Sequence, residues 1–304
     1  MFKLAIVGTV AAYATAKVHP INEDIVNEIK NKTSTWTAHE VHENPLRHHT
    51  VESLQGLLGD NGIAYGSPMG NYATQEVIAT PDNFDTRVQF GDCVHPIRDQ
   101  KKCGSCWAFG SSEALSDRFC IASKGAVDVI LSPEDLVSCD HSNSGCNGGW
   151  IGNAFEYFES TGIVEDSVFP YTASEQTCPD KTKLKTFKCT PGSIIHLDKP
   201  EEIKSALVQG GPLATRFDVY SDFMSYKGGI YQHVTGSRNG GHAVKLVGYG
   251  VEGGVNYWII ANSWGPAWGE NGFFRIAWNE CGINDNVFGC TPLVDSAEEP
   301  LFTM

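Results

Sequence analysis

Cys103-Gly104-Ser105-Cys106-Trp107 opens a run in which Ala108, Leu115 and Phe119 recur at helical spacing up to Ala122. A helix over 106–122 follows, with Ser105 as its expected cap and Gly125 just past its end. A cysteine in the first helical turn lies at the positive end of the helix dipole, where its thiolate is stabilised. Such settings, with an imidazolium nearby, lower a cysteine pKa to about 3.5–7.5. The same two cysteines also fit a redox pair or half of a zinc site. A redox pair belongs beside a βαβ unit, and none is apparent. A zinc ribbon needs a second close pair, whereas Cys139 and Cys146 stand seven positions apart.

Two distant segments supply what a nucleophilic thiol requires. Gly240-Gly241-His242-Ala243 offers an imidazole to take the proton, and Asn262-Ser263-Trp264-Gly265 offers an amide to hold that imidazole in orientation. Each is a weak signal alone. Jointly Cys106, His242 and Asn262 make a nucleophile, a base and an orienter, and the expected chemistry is thiol-dependent acyl transfer.

The rest of the 304-residue chain sets the context. Met1-Phe2-Lys3 followed by a short apolar run and Ala14-Thr15-Ala16 reads as a signal peptide over 1–16, too short to span a bilayer. No later stretch is long and apolar enough to do so. Ten cysteines suggest disulfides and an oxidising compartment, hence the secretory pathway. A net charge of −14 argues against a nucleic-acid partner, because phosphate binding needs a basic surface. Residues 17–79 carry no cysteine and read as a pro-segment, with Asn31-Lys32-Thr33 as a glycosylation sequon at Asn31. His39, His42, His48 and His49 in that zone are read as solvated histidines, not as a metal site or pH sensor. Neither a metal nor a cofactor is expected.

Residues 80–304 form the remaining domain. Its first part, to about 190, favours helices and loops: Ser132-Pro133-Glu134-Asp135 is a helix start, and Trp150 to Ser160 is a third, shorter helix. From about 191 to 294 short β-branched or aromatic runs bounded by glycine dominate, among them Ala243 to Val247, Tyr257 to Ile260 and Phe273 to Ile276. Pro200 to Val208 is the helix among them. A helical half followed by a β half is an α+β protein with a cleft between its halves. Gly248-Tyr249-Gly250-Val251-Glu252-Gly253 spells a dinucleotide-binding pattern, but a strand follows it where a helix is needed, so it reads as a hairpin turn.

The combined motifs resemble those of the papain-like cysteine proteases, and of their cathepsin B-like branch in particular. The resemblance covers roughly residues 80–290. It includes Arg98-Asp99-Gln100, Cys146-Asn147-Gly148-Gly149, Tyr220-Ser221-Asp222-Phe223, Tyr231 to Gly236 and Cys281-Gly282-Ile283. It implies a two-lobed fold with a helical left lobe, a β-barrel right lobe and the active site in the cleft between them. Gln100 would share the oxyanion with the backbone N–H of Cys106, a donor worth about 2.7–4 kcal/mol of barrier in a comparable enzyme. Gly148, Gly149, Trp150, Ala243 and Asn286 would line the substrate cleft. Trp264 would shield the His242–Asn262 contact, and Trp268 would face the leaving-group side. The implied disulfides are Cys93–Cys120, Cys103–Cys146 and Cys139–Cys178. Cys189 with Cys290 is a guess that leaves Cys281 as a buried thiol.

Two departures from the cathepsin B pattern stand out. Pro170-Tyr171 is followed after only six residues by Cys178, with no paired histidines, so the occluding loop that makes that enzyme trim C-terminal dipeptides is missing. Asn286 stands where an acid helps accept arginine two residues before the cut, so apolar or small side chains are expected there, with Trp150 narrowing the same region. The expectation is a secreted, monomeric cysteine endopeptidase zymogen acting on protein and peptide substrates in a lysosome- or vacuole-like compartment or outside the cell, with its own pro-segment as inhibitor. A carboxydipeptidase and a catalytically silent peptide-binding homologue are the alternatives. The silent homologue is disfavoured because Cys106, His242, Asn262 and Gln100 are all retained.

Overall fold

The computed structural model describes residues 18–33, 35–62 and 72–294. The expected signal peptide lies outside them. The leader contributes helix α1 (Glu23–Lys32), strand β1 (Trp36–Ala38) and helix α2 (Val51–Gln55). Asn22 caps α1 through its side-chain oxygen, and Asn31 is exposed near the helix end. The body begins with β2 (Phe84–Asp85) and α3 (Thr86–Phe90). Three helices follow: α4 (Cys106–Ala122), α5 (Pro133–Cys139) and α6 (Ile151–Ser160). Then come β3 (Ile195–Leu197), α7 (Pro200–Gly210), β4 (Leu213–Tyr220), β5 (Tyr226–Tyr231), β6 (Arg238–Glu252), β7 (Val255–Ala261), β8 (Phe273–Ala277) and β9 (Val287–Gly289). In the body, α4 to α6 precede the strands β3 to β9, with α7 among them, which is the α+β arrangement expected.

The sheet runs β1-β5-β8-β7-β6-β4-β9-β3, with β2 added on β6. Its pairings are antiparallel except β5 with β8. Of the dinucleotide-like glycines, Gly248 and Gly250 lie within β6, which turns at Gly253-Gly254 into β7; both turn residues have positive φ, so glycine suits them. The leader's β1 covers the β5 edge, Trp36 opposite Gly229. Its indole is buried against Tyr231 at 5.1 Å and donates to the Gln232 carbonyl at 2.9 Å. A sheet edge that would otherwise expose unpaired backbone groups is thus closed by the leader.

Helix α4 lies between the helical lobe and the sheet, and it is buried on all sides from Cys106 to Cys120. A helix covered all round has no polar face, so its apolar pattern is not amphipathic. Gly110 lets it sit flush on β6: a Cβ there would come within 3.1 Å of the Val244 backbone. Arg118 secures the other end, donating to the carbonyls of Pro212, Cys290 and Gly211 at 2.6, 3.1 and 3.1 Å. Ser105 does not cap the helix as expected; its hydroxyl instead meets the Tyr171 hydroxyl at 2.6 Å. By contrast, the Ser132 side chain accepts from Asp135 N–H at the start of α5.

Four disulfides join Cys93–Cys120, Cys103–Cys146, Cys139–Cys178 and Cys189–Cys290; Cys106 is a buried free thiol, and Cys281 is free but only partly buried, not buried as expected. The helical lobe packs around Trp107, Phe119, Phe155 and Phe158. The β lobe packs around Phe217, Phe223, Tyr226, Trp268 and Phe274. The cleft lies where α4 meets β6.

Candidate active site

Cys106 is the first residue of α4, and two constraints hold it there. The Cys103–Cys146 disulfide ties the approach to the helix to the loop before α6, and Gly104 N–H bonds the Cys146 carbonyl at 3.0 Å. Trp107 donates its indole N–H to Gly145 at 3.1 Å. The opposite wall comes from the sheet. His242 is a residue of β6, opposite Phe217 of β4, and Asn262 follows the end of β7.

The hydrogen bonds settle the protonation pattern. Asn262 Oδ1 accepts from the Ser263 backbone N–H at 2.8 Å, which identifies that atom as the oxygen. The His242 Nε2 at 2.7 Å from the same oxygen must therefore carry a proton. Nδ1, buried and without a partner among the described residues, holds the lone pair. Trp264 lies over the imidazole with ring centroids 4.7 Å apart, which keeps water from the pair. Trp268 is fully buried among Phe223, Tyr226 and Phe274 and meets Trp264 edge-on. In this form it is a core residue beneath the site, not the cleft-facing ring expected.

Gln100 links the two walls. Its Oε1 accepts from Ser263 Oγ at 2.7 Å, and its Nε2 donates to Cys103 O at 2.9 Å. The same amide also donates to the Leu57 carbonyl of the leader at 3.0 Å. A carbonyl of the leader thus occupies the donor that an oxyanion would need. The next leader residues continue through the cleft. Gly59 turns its N–H to the Cys106 sulfur and its carbonyl accepts from Gly149 N–H at 2.9 Å. Asp60 N–H donates to Gly241 O at 3.1 Å and Asn61 N–H to Gly149 O at 2.9 Å. Only glycine fits at position 59, since a Cβ there would lie 1.8 Å from the Gly104 carbonyl oxygen.

This cover reverses the electrostatics expected of Cys106. Burial pushes its thiol up to about 12, against the backbone N–H groups of Ala243, Gly59 and Trp107 that favour the thiolate. Burial likewise pushes His242 down to about 4 despite its bond to Asn262. Between those values the pair is a neutral thiol and a neutral imidazole. The helix dipole still acts, but the loss of water outweighs it while the leader is in place.

Cys106, Gln100, His242, Asn262, Gly149, Ala243 and Trp264 therefore meet at one locus, and Gly148 faces leader residues Gly59 and Asn61. Trp150 immediately precedes α6, its N–H donating to Asn143 Oδ1 at 2.7 Å. Asn286 is buried, with its side-chain oxygen 2.9 Å from His196 Nε2. Among the described residues no cluster of histidine, cysteine or carboxylate could hold a metal. The sequence reading missed Asp60 and Arg216. Arg216, on β4, is buried, and its Nε donates to Asp60 Oδ2 at 2.7 Å. Its signal was a lone basic residue inside the otherwise buried strand Leu213–Tyr220.

The profile of the papain family cysteine proteases matches residues 80–291. The chain belongs to that family. Within it, this papain-family chain is cathepsin B-like. It is 45% identical over 228 residues to cathepsin B-like CP3 of Giardia intestinalis, which covers 71% of this chain and 76% of that one. It is 35% identical to cathepsin B-like cysteine proteinase 4 of Caenorhabditis elegans over 95% of this chain and 98% of that one. Among solved structures, procathepsin B S9 of Trypanosoma congolense superposes with a TM-score of 0.82 at 30% identity, covering 91% of this chain and all of that one. That neighbour is a proform, and the leader of this papain-family protease lies in the cleft with its own hydrogen bonds to both walls.

Proposed function

We propose that this protein is a cysteine endopeptidase made as a zymogen, with residues 1–16 as signal peptide, 17–79 as inhibitory pro-segment and 80–304 as the peptidase. Removal of the leader readmits water to Cys106 and His242, and the imidazole then takes the thiol proton. The thiolate attacks the peptide carbonyl, and Gln100 and the Cys106 backbone N–H receive the oxyanion. His242 Nδ1–H protonates the leaving amine, and the neutral imidazole then activates water to hydrolyse the thioester. Asn262 holds the ring throughout.

The observation that carries the endopeptidase reading is the course of residues 171–178. Tyr171 donates to Gln100 O at 2.7 Å, Thr172 N–H to Glu134 at 2.9 Å and Gln176 N–H to Ser138 Oγ at 2.8 Å, while Cys178 is bonded to Cys139. The loop is pinned to α5 and contains no histidine to hold a substrate C-terminus. Beside Trp264 a cavity of about 440 Å³ lies between leader residues Leu46 and Leu57 and body residues Lys101 and Gly265; residues 171–178 do not line it. This course of the loop supports a cleft in which a substrate chain continues past the cut. The test is digestion of one peptide with free and with amidated C-terminus by the processed enzyme. Equal internal cleavage of both is expected; stepwise dipeptide loss from the free form alone would overturn the reading. Signal peptide and disulfides support action in the secretory pathway, in a lysosome-like compartment or outside the cell.

A further inference from the structure

The catalytic machinery makes no use of Arg216, yet this guanidinium lies in the cleft. Arg216 pairs with Ala243 across β4 and β6, one residue from His242. Its Nε meets Asp60 at 2.7 Å and its Nη2 meets Asp218 at 2.6 Å. Asp218 is already shared, because Arg238 donates to the same oxygen at 2.9 Å. Asp285 lies nearby, across Gly282, but forms no ion pair with Arg216 among the described residues. Once the leader departs, two guanidinium groups share one carboxylate and Arg216 loses its own. In the opened cleft that guanidinium faces the substrate, and its planar fork matches another carboxylate.

The backbone geometry says where that carboxylate sits in a substrate. Gly59 faces the sulfur, so Asp60 is one residue away on the Gly149 side. The leader runs parallel to the Gly149 segment, which bonds Gly59 and Asn61 on either side of Asp60. A chain running the opposite way would pair with Gly149 through the N–H and C=O of the single residue at Asp60's place. For a substrate that runs this way with its scissile bond at the Cys106 sulfur, that residue is the second before the cut.

We propose that Arg216 is a specificity-determining residue that selects an aspartate or glutamate at this position, and that Asp60 of the leader is its internal mimic. The inference rests on the peptidase reading above. It replaces the apolar preference expected from Asn286, because Asn286 is engaged with His196 while Arg216 holds the charge that a substrate meets.

The test uses processed enzyme and N-acetyl dipeptidyl coumarin amides that share one residue at the cut and carry Asp, Glu, Asn, Gln, Leu, Phe or Arg before it. A matching series of longer peptides has free C-termini. Active sites are titrated with a cysteine-directed epoxide. Wild-type kcat/KM for Asp or Glu should exceed that for Asn or Gln by about tenfold or more, the scale of one charge-assisted hydrogen bond. Arg216→Gln should bring that ratio near one, and Arg216→Lys should keep part of it. Asn, Leu or Phe peptides cleaved as well as the acidic ones by wild-type enzyme would overturn the proposal, whether or not the variants fold. So would an acidic preference that survives Arg216→Gln. If only free C-termini are processed, the endopeptidase reading fails, and the Asp-to-Asn ratio in that series still decides the role of Arg216.

Discussion

The two walls of the cleft are built by different means. The helical wall acts mainly through backbone and covalent bonds: a helix start, the Cys103–Cys146 disulfide and the Gly149 N–H and C=O. The β wall acts through side chains held by hydrogen bonds and charge: His242 on Asn262, and Arg216 between Asp60 and Asp218. The helical wall therefore depends on covalent and main-chain geometry, which any substrate backbone can use. The β wall depends on side-chain chemistry, which sets proton positions and, on the proposal for Arg216, distinguishes substrates. The leader satisfies both at once, filling backbone positions on one side and ion-pairing on the other.

The largest effect should come from removing that double cover. With its thiol at about 12, the zymogen has almost no thiolate at neutral pH, whereas an open helix-terminal cysteine paired with imidazolium titrates several units lower. Alkylation of Cys106 by iodoacetamide at pH 7 should be roughly 1,000-fold slower in the zymogen than after processing. Equal rates in the two forms would mean that the leader does not control ionisation.

The contrast between the walls can be tested next. Asn262→Ala removes a hydrogen bond that strengthens when His242 becomes charged, so kcat should fall by roughly 10- to 100-fold. Replacing Cys103 and Cys146 by serine should instead register first in the unfolding midpoint, at a cost of about 2–5 kcal/mol. A disulfide variant of unchanged stability would remove the distinction drawn between the two walls.

The smallest effect concerns a histidine away from the cleft. His95 Nδ1 lies 2.7 Å from Asp117, whose hydrogen bond raises the imidazole above its usual range, and Nε2 lies 2.9 Å from Asp128. Because the folded value is raised, the stabilisation is fully present below the unfolded value of about 6.5 and is lost as pH rises through the folded one. His95→Asn should cost about 1 kcal/mol or less at pH 5 and little at pH 9, measured by denaturant unfolding. A loss independent of pH would assign His95 a packing role only.

Much of the architecture was readable from local pattern. The span of α4, the Ser132 cap, the start of α7 at Pro200 and the strands flanking Gly253-Gly254 all rest on spacing, caps and turn residues within a few positions of one another. Cys106, His242 and Asn262 could be picked out because their residue types have a joint chemical meaning. Three features were not accessible this way. The bond of Ser105 to Tyr171, the burial of Trp268 and the Asp60–Arg216 pair each join segments far apart in the chain.

Residue order alone marked the long helices, several strands and the residue types expected as nucleophile, base and orienter, because periodicity and functional-group chemistry are local properties. The course of the leader through the cleft, the suppression of the thiol and the pairing of Arg216 with Asp60 were decided by the folded chain. Burial and ion pairing depend on which distant groups exclude water from one another, and no local pattern encodes that.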